Sequence, residues 1–342
     1  MDLQKDQTMS RSFPSVAVLA AGVLCAAVTA SAVGFIETFA TDPADRGWFS
    51  SGSSNLFTWD GSIGAVHATW DSRAGNQYYA RSLGVELSRT NDFCLVFDLN
   101  LADFTPGIDT NKNLSSFQLA VGLIRLADAT APGFHRGSGD ESPNLCDFSF
   151  FPDPGGDWQW GSSLTSALCD TTGSHWTTNG FLGVALTPGD TFRVTMAYHS
   201  GEDTLRTEVL RNGEPWQVIP PAGLSDKFTD FRLDHVAICS YGDAGQFPGY
   251  EGSLLAHGLV DTVAFLPALP VSEIHAISGP GGMGVGFSGF AGWKYTLERR
   301  GDGGAWQPVA ASMAATDGPQ TLVDAVPAGV PLRVYRVKAA LP

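Results

Sequence analysis

The sequence predicts an all-β protein, a jelly-roll sandwich followed by a smaller β-sandwich, and three observations carry the prediction. The first is alternation. In Phe93-Cys94-Leu95-Val96-Phe97-Asp98-Leu99-Asn100-Leu101 the apolar residues Phe93, Leu95, Phe97, Leu99 and Leu101 recur at every second place, opposite partners that turn polar toward the end. Phe117 to Leu126 repeats the pattern with the small residues Ala120 and Gly122 on the other face, so two long strands of antiparallel type are expected here. A face of small and polar residues opposite an apolar one suits a curved sheet with an open inner surface. The second is composition: Gly and Pro supply 60 of 342 residues, and the acids are mostly Asp, with nine Glu. Asp, Gly and Pro favour turns, whereas Glu and Lys favour helices. The third is punctuation, with turn signals every dozen or so residues and no strong helical period.

The elements follow in order. Phe35–Phe39 reads as an opening strand ended by Thr41-Asp42-Pro43. Phe57–Trp59, Ala65–Trp70 and Tyr78–Leu83 are split by Asp60-Gly61 and by Arg73-Ala74-Gly75-Asn76. After the central strands, Asn144–Phe151 is broken by Pro152-Asp153-Pro154-Gly155-Gly156. Phe192–Tyr198 alternates cleanly, Leu205–Leu210 runs into the hairpin signal Asn212-Gly213, and Trp216–Ile219 returns. His235–Ser240 and Leu259–Leu266 close the first domain, residues 33–266. Pro267-Ala268-Leu269-Pro270-Val271 is the linker, and 272–342 holds short strands around Trp293–Glu298, Trp306–Val309 and Leu332–Val337, parted by Gly-rich turns.

Residues 1–32 have the pattern of an export signal: Lys5 and Arg11 precede an apolar run from Val16 to Ala30, and Ala30-Ser31-Ala32 supplies a small-x-small cleavage site. The chain is expected to be secreted or held at the cell surface, with the periplasm as a further option. No other stretch approaches the ~20 apolar residues of a spanning helix, so membrane insertion is not expected. The leader is neutral, and the net charge of −15 falls on the remainder, a surface that repels nucleic acid and anionic lipid. Beyond the leader, Cys94, Cys146, Cys169 and Cys239 allow three disulfide connectivities. Cys146 with Cys169 is the expected pair, since both precede an Asp near the ends of neighbouring segments, while Cys94 and Cys239 read as buried thiols. Their spacing does not match a zinc site.

Phe35-Ile36-Glu37-Thr38-Phe39, the Trp59-Asp60-Gly61 turn, the Asn212-Gly213 hairpin and Val260-Asp261-Thr262-Val263-Ala264-Phe265 together resemble the concanavalin A-like, laminin G-like jelly roll. The closing module resembles a fibronectin type III-like β-sandwich of exported bacterial proteins. The resemblance implies two stacked curved sheets, the concave one often holding glycans, in lectins, carbohydrate-binding and adhesive modules, glucanases and polysaccharide lyases; the fold does not fix the activity. It also implies one structural calcium ion between the first and last strands, where Glu37 and Asp261 occupy matching places, with carbonyls near Gly61 to Gly64 as further ligands.

Enzymatic templates fit poorly. Against the glucanase pattern E-x-D-x-x-E, the segment from Cys146 to Pro152 offers Asp147, but Ser149 and Pro152 stand where carboxylates are required. There is no G-x-S-x-G elbow, no H-E-x-x-H and no phosphate loop. A lyase would want a base such as Tyr79 or His199 beside Arg81. Aromatic residues speak for binding: Trp158 and Trp160 follow a Pro/Gly turn and Trp176 lies in a polar loop, placed to stack on sugar rings or to plug the sandwich ends. Trp48, Trp59, Trp70 and Trp216 are assigned to the core. Asp147 is a candidate hydrogen-bond acceptor for a ligand, or a solvated strand residue. Asp109-x-Asn111-x-Asn113 mimics the start of an EF-hand loop but has Leu114 and Ala120 where glycine and glutamate belong. The expected function is a non-catalytic, lectin-like protein binding a polysaccharide or glycoconjugate. The alternatives are a polysaccharide lyase or glycoside hydrolase on the same scaffold, and a structural or adhesive cell-surface protein.

Overall fold

The structure is a computed structural model and describes residues 34–52, 55–106, 119–136, 142–151, 162–178, 180, 182–242, 254–279, 282–300, 305–325 and 334–341. The leader, Trp158, Trp160, Asp109, Asn111 and Asn113 lie outside the described residues.

The first part of the chain forms β1 (Phe35–Glu37), β2 (Trp48–Ser51), β3 (Phe57–Asp60), β4 (Ala65–Asp71), β5 (Gln77–Leu87), β6 (Phe93–Pro106), β7 (Leu119–Ile124), β8 (Leu145–Phe151) and β9 (Ser163–Cys169). It continues with β10 (Trp176–Thr178), β11 (Thr191–His199), β12 (Thr204–Arg211), β13 (Glu214–Val218), β14 (Ala222–Gly223), β15 (Leu233–Ser240) and β16 (Leu254–Leu266). A single helical turn, α1 (Leu126–Ala129), follows β7.

These strands make a jelly-roll sandwich of two antiparallel sheets. One runs β13-β12-β11-β6-β16-β4-β3, with β1 beside β16 and β14 beside β12; the other runs β10-β9-β8-β7-β15-β5-β2. The two long strands of the central pattern therefore belong to opposite sheets. β6 pairs with β11 and β16, and β7 with β8 and β15, because each finds its hydrogen-bond partners far away in sequence. Their apolar faces meet in one core. Phe93, Leu95, Phe97, Leu99 and Leu101 are fully buried, and Phe97 crosses the sandwich to meet Phe148 edge-on at 5.9 Å. Trp48 and Trp70 are buried in this core, and Trp59 and Trp216 are packed against it. Asn212 and Gly213 adopt φ values of 53° and 84°, the pair of left-handed residues that a two-residue hairpin needs to match the strand twist.

Residues 272–341 form two three-stranded sheets, β17-β18-β21 and β20-β19-β22, from β17 (Ser272–Gly279), β18 (Gly282–Gly289), β19 (Lys294–Arg300), β20 (Gln307–Met313), β21 (Gly318–Asp324) and β22 (Val334–Ala340). Alternation in β6 explains how this module is seated. Its odd-numbered residues fill the sandwich core, while Cys94 and Val96, on the other face with Ala264 and Leu266, are buried against Phe287, Trp293, Tyr295 and Leu341. Arg193 bridges the junction, forking onto Asp98 at 2.7 and 2.8 Å and donating to the Leu341 carbonyl at 2.9 Å.

The four described cysteines are free and buried, which corrects the expected Cys146–Cys169 disulfide. β8 and β9 are neighbours, but Cys146 sits opposite Leu168 and Cys169 opposite Leu145. The two side chains leave opposite faces of the sheet, one into the sandwich core and one away from it, and no disulfide geometry spans that gap.

Candidate functional site

In the seven-stranded sheet, one face fills the core and the other carries the chemistry. Cross-strand register sets that outer face in rows. One row runs Trp176, Cys169, Leu145, Ile124, His235; the next runs Thr178, Ala167, Asp147, Gly122, Ala237, Ala80; the third runs Thr165, Ser149, Ala120, Cys239, Tyr78. The small residues of the central strands thus lie together, as the alternation implied, but the face is not open at its centre. The segment after β7 folds back over it. Ala129 and Phe134 pack on Tyr78, Ala80 and Ala120; the Tyr78 hydroxyl donates to the Ala129 carbonyl at 2.8 Å, and the Asn76 amide donates to the Phe134 carbonyl at 3.0 Å. Phe134 stacks on Tyr241 with ring centres 6.4 Å apart.

Under this roof Arg136 reaches Asp147. Nε and Nη2 fork onto Oδ2 and Oδ1 at 3.0 and 2.8 Å, and the Ser149 hydroxyl donates to Oδ1 at 3.2 Å. Both ions are buried, at 6% and 0% exposure. Burial works against the Arg136 charge, but the adjacent carboxylate outweighs it and holds the guanidinium pKa above its ordinary value. Gly122 faces Asp147 across β7 and β8, so close that a Cβ there would lie 2.6 Å from Asp147 Cα. Burial likewise raises the Tyr78 and Tyr241 phenols, and pushes the Cys169 thiol up to about 12, so these groups stay protonated at neutral pH. A neutral phenol, a neutral thiol and a carboxylate locked to arginine do not make an acid/base pair.

The open part of this face is its rim. Trp176, on the edge strand β10, is 43% exposed and stands beside Cys169 on the outer side. The hairpin that carries it is fastened from behind: buried Asp170 accepts from Thr172, from His175 Nδ1 at 3.2 Å and from the Thr229 hydroxyl at 3.2 Å. The edge indole therefore projects from a fixed ribbon.

The structure does not bring the remaining expected residues to this face. Tyr79 and Arg81 alternate onto the other side of β5, where Tyr79 stacks on Trp48 at 5.3 Å and the Arg81 guanidinium lies 3.8 Å from the centre of the Phe35 ring. Glu37 and Asp261 do not meet either. Glu37 is buried and takes Arg46 at 2.7 and 2.6 Å, Trp48 Nε1 at 3.2 Å and the Phe39 amide at 2.7 Å. Asp261 lies on the outer face of the nine-stranded sheet, in a cavity of about 300 Å³ with Asp98, Asn100, Thr191, Leu259 and Ile63. A carboxylate saturated by an arginine and a second one on the opposite face of its sheet do not fit a shared calcium ion. Among the described residues no group of three His, Cys, Asp or Glu side chains is placed to hold a metal. Arg136 escaped the sequence reading because a lone arginine in a loop has no period. The only hint was a buried-strand aspartate that needed a cation.

No family model matches the chain, and no curated protein does. Among solved structures it is similar to the Lotus tetragonolobus seed lectin, with 12% identity over 68% of this chain and 97% of the lectin at a TM-score of 0.44. It is similar to lectin II from Ulex europaeus at 11% identity, 69% and 99% coverage and a TM-score of 0.44. An alginate lyase matches at 11% identity, 69% and 93% coverage and a TM-score of 0.36. Lectins and a lyase thus stand side by side at identities too low to speak of function.

Proposed function

We propose that this chain is an exported, non-catalytic, lectin-like protein that binds a polysaccharide or glycoconjugate at the rim of its seven-stranded sheet. The observation that carries the reading is Trp176, a 43% exposed indole on a fastened edge strand of a two-sheet sandwich. Large aromatic side chains are ordinarily buried, and an exposed indole offers a ring face that can stack on the apolar face of a sugar. The same geometry favours binding over cleavage. Asp147, the carboxylate at the centre of the outer face, is roofed over and held by Arg136, so it has no route to a scissile bond. Secretion or display at the cell surface is the location that the leader pattern supports.

The test is depletion of the chain 33–342 by a panel of insoluble neutral polysaccharides, with new sugar ends assayed in the supernatant. Binding without new ends is expected, with Trp176→Ala weakening it about tenfold, the order of a lost stacking contact. New ends released by the wild type would overturn the reading.

A further inference from the structure

A stripe of exposed cations lies on the outer face of the sheet formed by β20, β19 and β22. By alternation the odd-numbered residues of β19 and β22 fill the interior of the module, and Lys294, Thr296, Glu298, Arg300, Arg336 and Lys338 stand on the other side. Cross-strand register orders them. Arg300 sits opposite Val334, Glu298 opposite Arg336, Thr296 opposite Lys338 and Lys294 opposite Ala340, so four cations zigzag along six residue steps, about 20 Å of strand. Glu298 is the acid among them. It is only 13% exposed and lies bonded to Arg336 Nε at 2.6 Å, so the outermost charges are positive. Trp306 braces the end of the stripe: Arg336 and Arg300 place their guanidinium carbons 4.3 and 4.9 Å from its ring centre. Stacking on an indole holds a guanidinium's plane and leaves its N–H edge free to fork onto a carboxylate.

Two contrasts set this face apart. The region 33–271 has 28 acidic and twelve basic residues, whereas 272–342 has five acidic and six basic. Within the sandwich each of the ten arginines lies within 4 Å of a carboxylate. Lys294, Arg300 and Lys338 have no such carboxylate among the described residues. Among the described residues these three cations lack a carboxylate partner, and they stand in line on one exposed face of a strongly acidic chain.

We propose that this face binds an anionic polysaccharide, its carboxylates taken by Arg300, Arg336, Lys338 and Lys294. Charge complementarity selects the ligand: an extended polycarboxylate chain meets the stripe alone, whereas a long, stiff nucleic-acid duplex would also run its phosphates over acid-rich surface beyond it. The site is separate from the Trp176 rim, and each stands or falls alone.

Affinity electrophoresis of the chain 33–342 in gels carrying polygalacturonate, neutral dextran or a short DNA duplex tests it, at low and high sodium chloride. Retardation by polygalacturonate is expected and is weakened by salt, whereas any retardation by neutral dextran, which the rim would give, is indifferent to salt. The exposed triple substitution Lys294→Gln, Arg300→Gln, Lys338→Gln is expected to weaken it about tenfold, since three exposed ion contacts are each worth a few tenths to one kcal/mol. Glu298→Gln, which removes the acid of the face, is expected to tighten it. Equal retardation of wild type and triple variant, or none of the wild type at low salt, would overturn the proposal. So would equal retardation by DNA, or self-association that the triple variant abolishes without any polygalacturonate binding. Trp176→Ala should leave polygalacturonate retardation unchanged, which separates a failure here from a failure at the rim.

Discussion

Replacing Asp147 by Ala leaves the Arg136 guanidinium buried beneath the Ala129–Phe134 roof without its carboxylate. Arg136 is 6% and Asp147 0% exposed, and the pair is joined by two hydrogen bonds of 3.0 and 2.8 Å, with Ser149 adding a third to the carboxylate. Breaking one side of a buried pair costs about 3–5 kcal/mol, because the surviving charge has lost the carboxylate that offset its burial. Set against a typical stability of about 5–15 kcal/mol, that is a large share. Removing both charges is a different perturbation: Arg136→Met with Asp147→Leu fills the space with apolar atoms and should cost clearly less than the single change, chiefly about 1–3 kcal/mol for the Ser149 hydroxyl that loses its acceptor. Urea unfolding followed by tryptophan fluorescence at neutral pH measures all three variants. The expected pattern is a deep loss for Asp147→Ala and recovery in the double variant. A loss below about 1 kcal/mol for the single variant would refute the argument, and so would a double variant no better than the single one. An Asp147→Ala protein with unchanged stability but lost glycan retention would make Asp147 a ligand acceptor instead.

Two more outcomes follow from the same sheets. Gly122→Ala places a methyl group 2.6 Å from Asp147 Cα, where the neighbour is backbone and has no rotamer to yield, so a loss of about 2 kcal/mol or more is expected. Gly201→Ala, with nothing within 4 Å of the added atom, serves as the control and should stay within about 0.5 kcal/mol in the same unfolding assay. At Asp261, burial and then the nearby Asp98 raise the carboxyl pKa, with the Thr262 amide opposing. A raised folded pKa means that the folded chain holds this proton more tightly, so Asp261 stabilises the fold when protonated, and that contribution is lost as pH rises through the folded pKa. Asp261→Asn should therefore raise the thermal midpoint at pH 7 and have no such effect below the ordinary carboxylate range, near pH 3; equal effects at both pH values would contradict the sign.

How far the sequence could be read depends on how each strand is buried. β6, β11 and β15 have strong alternation or continuous apolar runs, and their positions are legible because one buried face writes itself into every second residue. β9 was not legible. Ser163-Leu164-Thr165-Ser166-Ala167-Leu168-Cys169 is buried on both faces, yet it is rich in Ser and Thr, and buried hydroxyls such as Ser166, which accepts from Thr207 at 2.8 Å, carry no hydrophobic period. The short edge strands β2 and β10 lack the length for a pattern. Pairing is a further step removed: β6 and β7 share a signature and are consecutive, but nothing local says that they enter different sheets. The site suffers most, since Asp147 and Trp176 are visible as residue types while the Arg136 roof that closes one and the fastened hairpin that presents the other are tertiary facts.

Net charge is the coarsest of the sequence arguments, and the module shows where it stops applying. A surplus of sixteen acids over 33–271 argues against polyanions when the chain is treated as one body. In physiological salt, however, exposed charges are screened beyond about 8 Å, so a ligand on the outer sheet of the module responds to the side chains beneath it more than to charges farther off. Lys294, Arg300, Arg336 and Lys338 stand together only because β19 and β22 pair antiparallel and put their even-numbered residues on one face. In the sequence the pair Lys294 and Arg300 is separated from the pair Arg336 and Lys338 by more than thirty residues, and both are mixed with acids. The same register that hides the stripe from a reading of composition makes it local, and local charge is what an extended anionic chain would meet first.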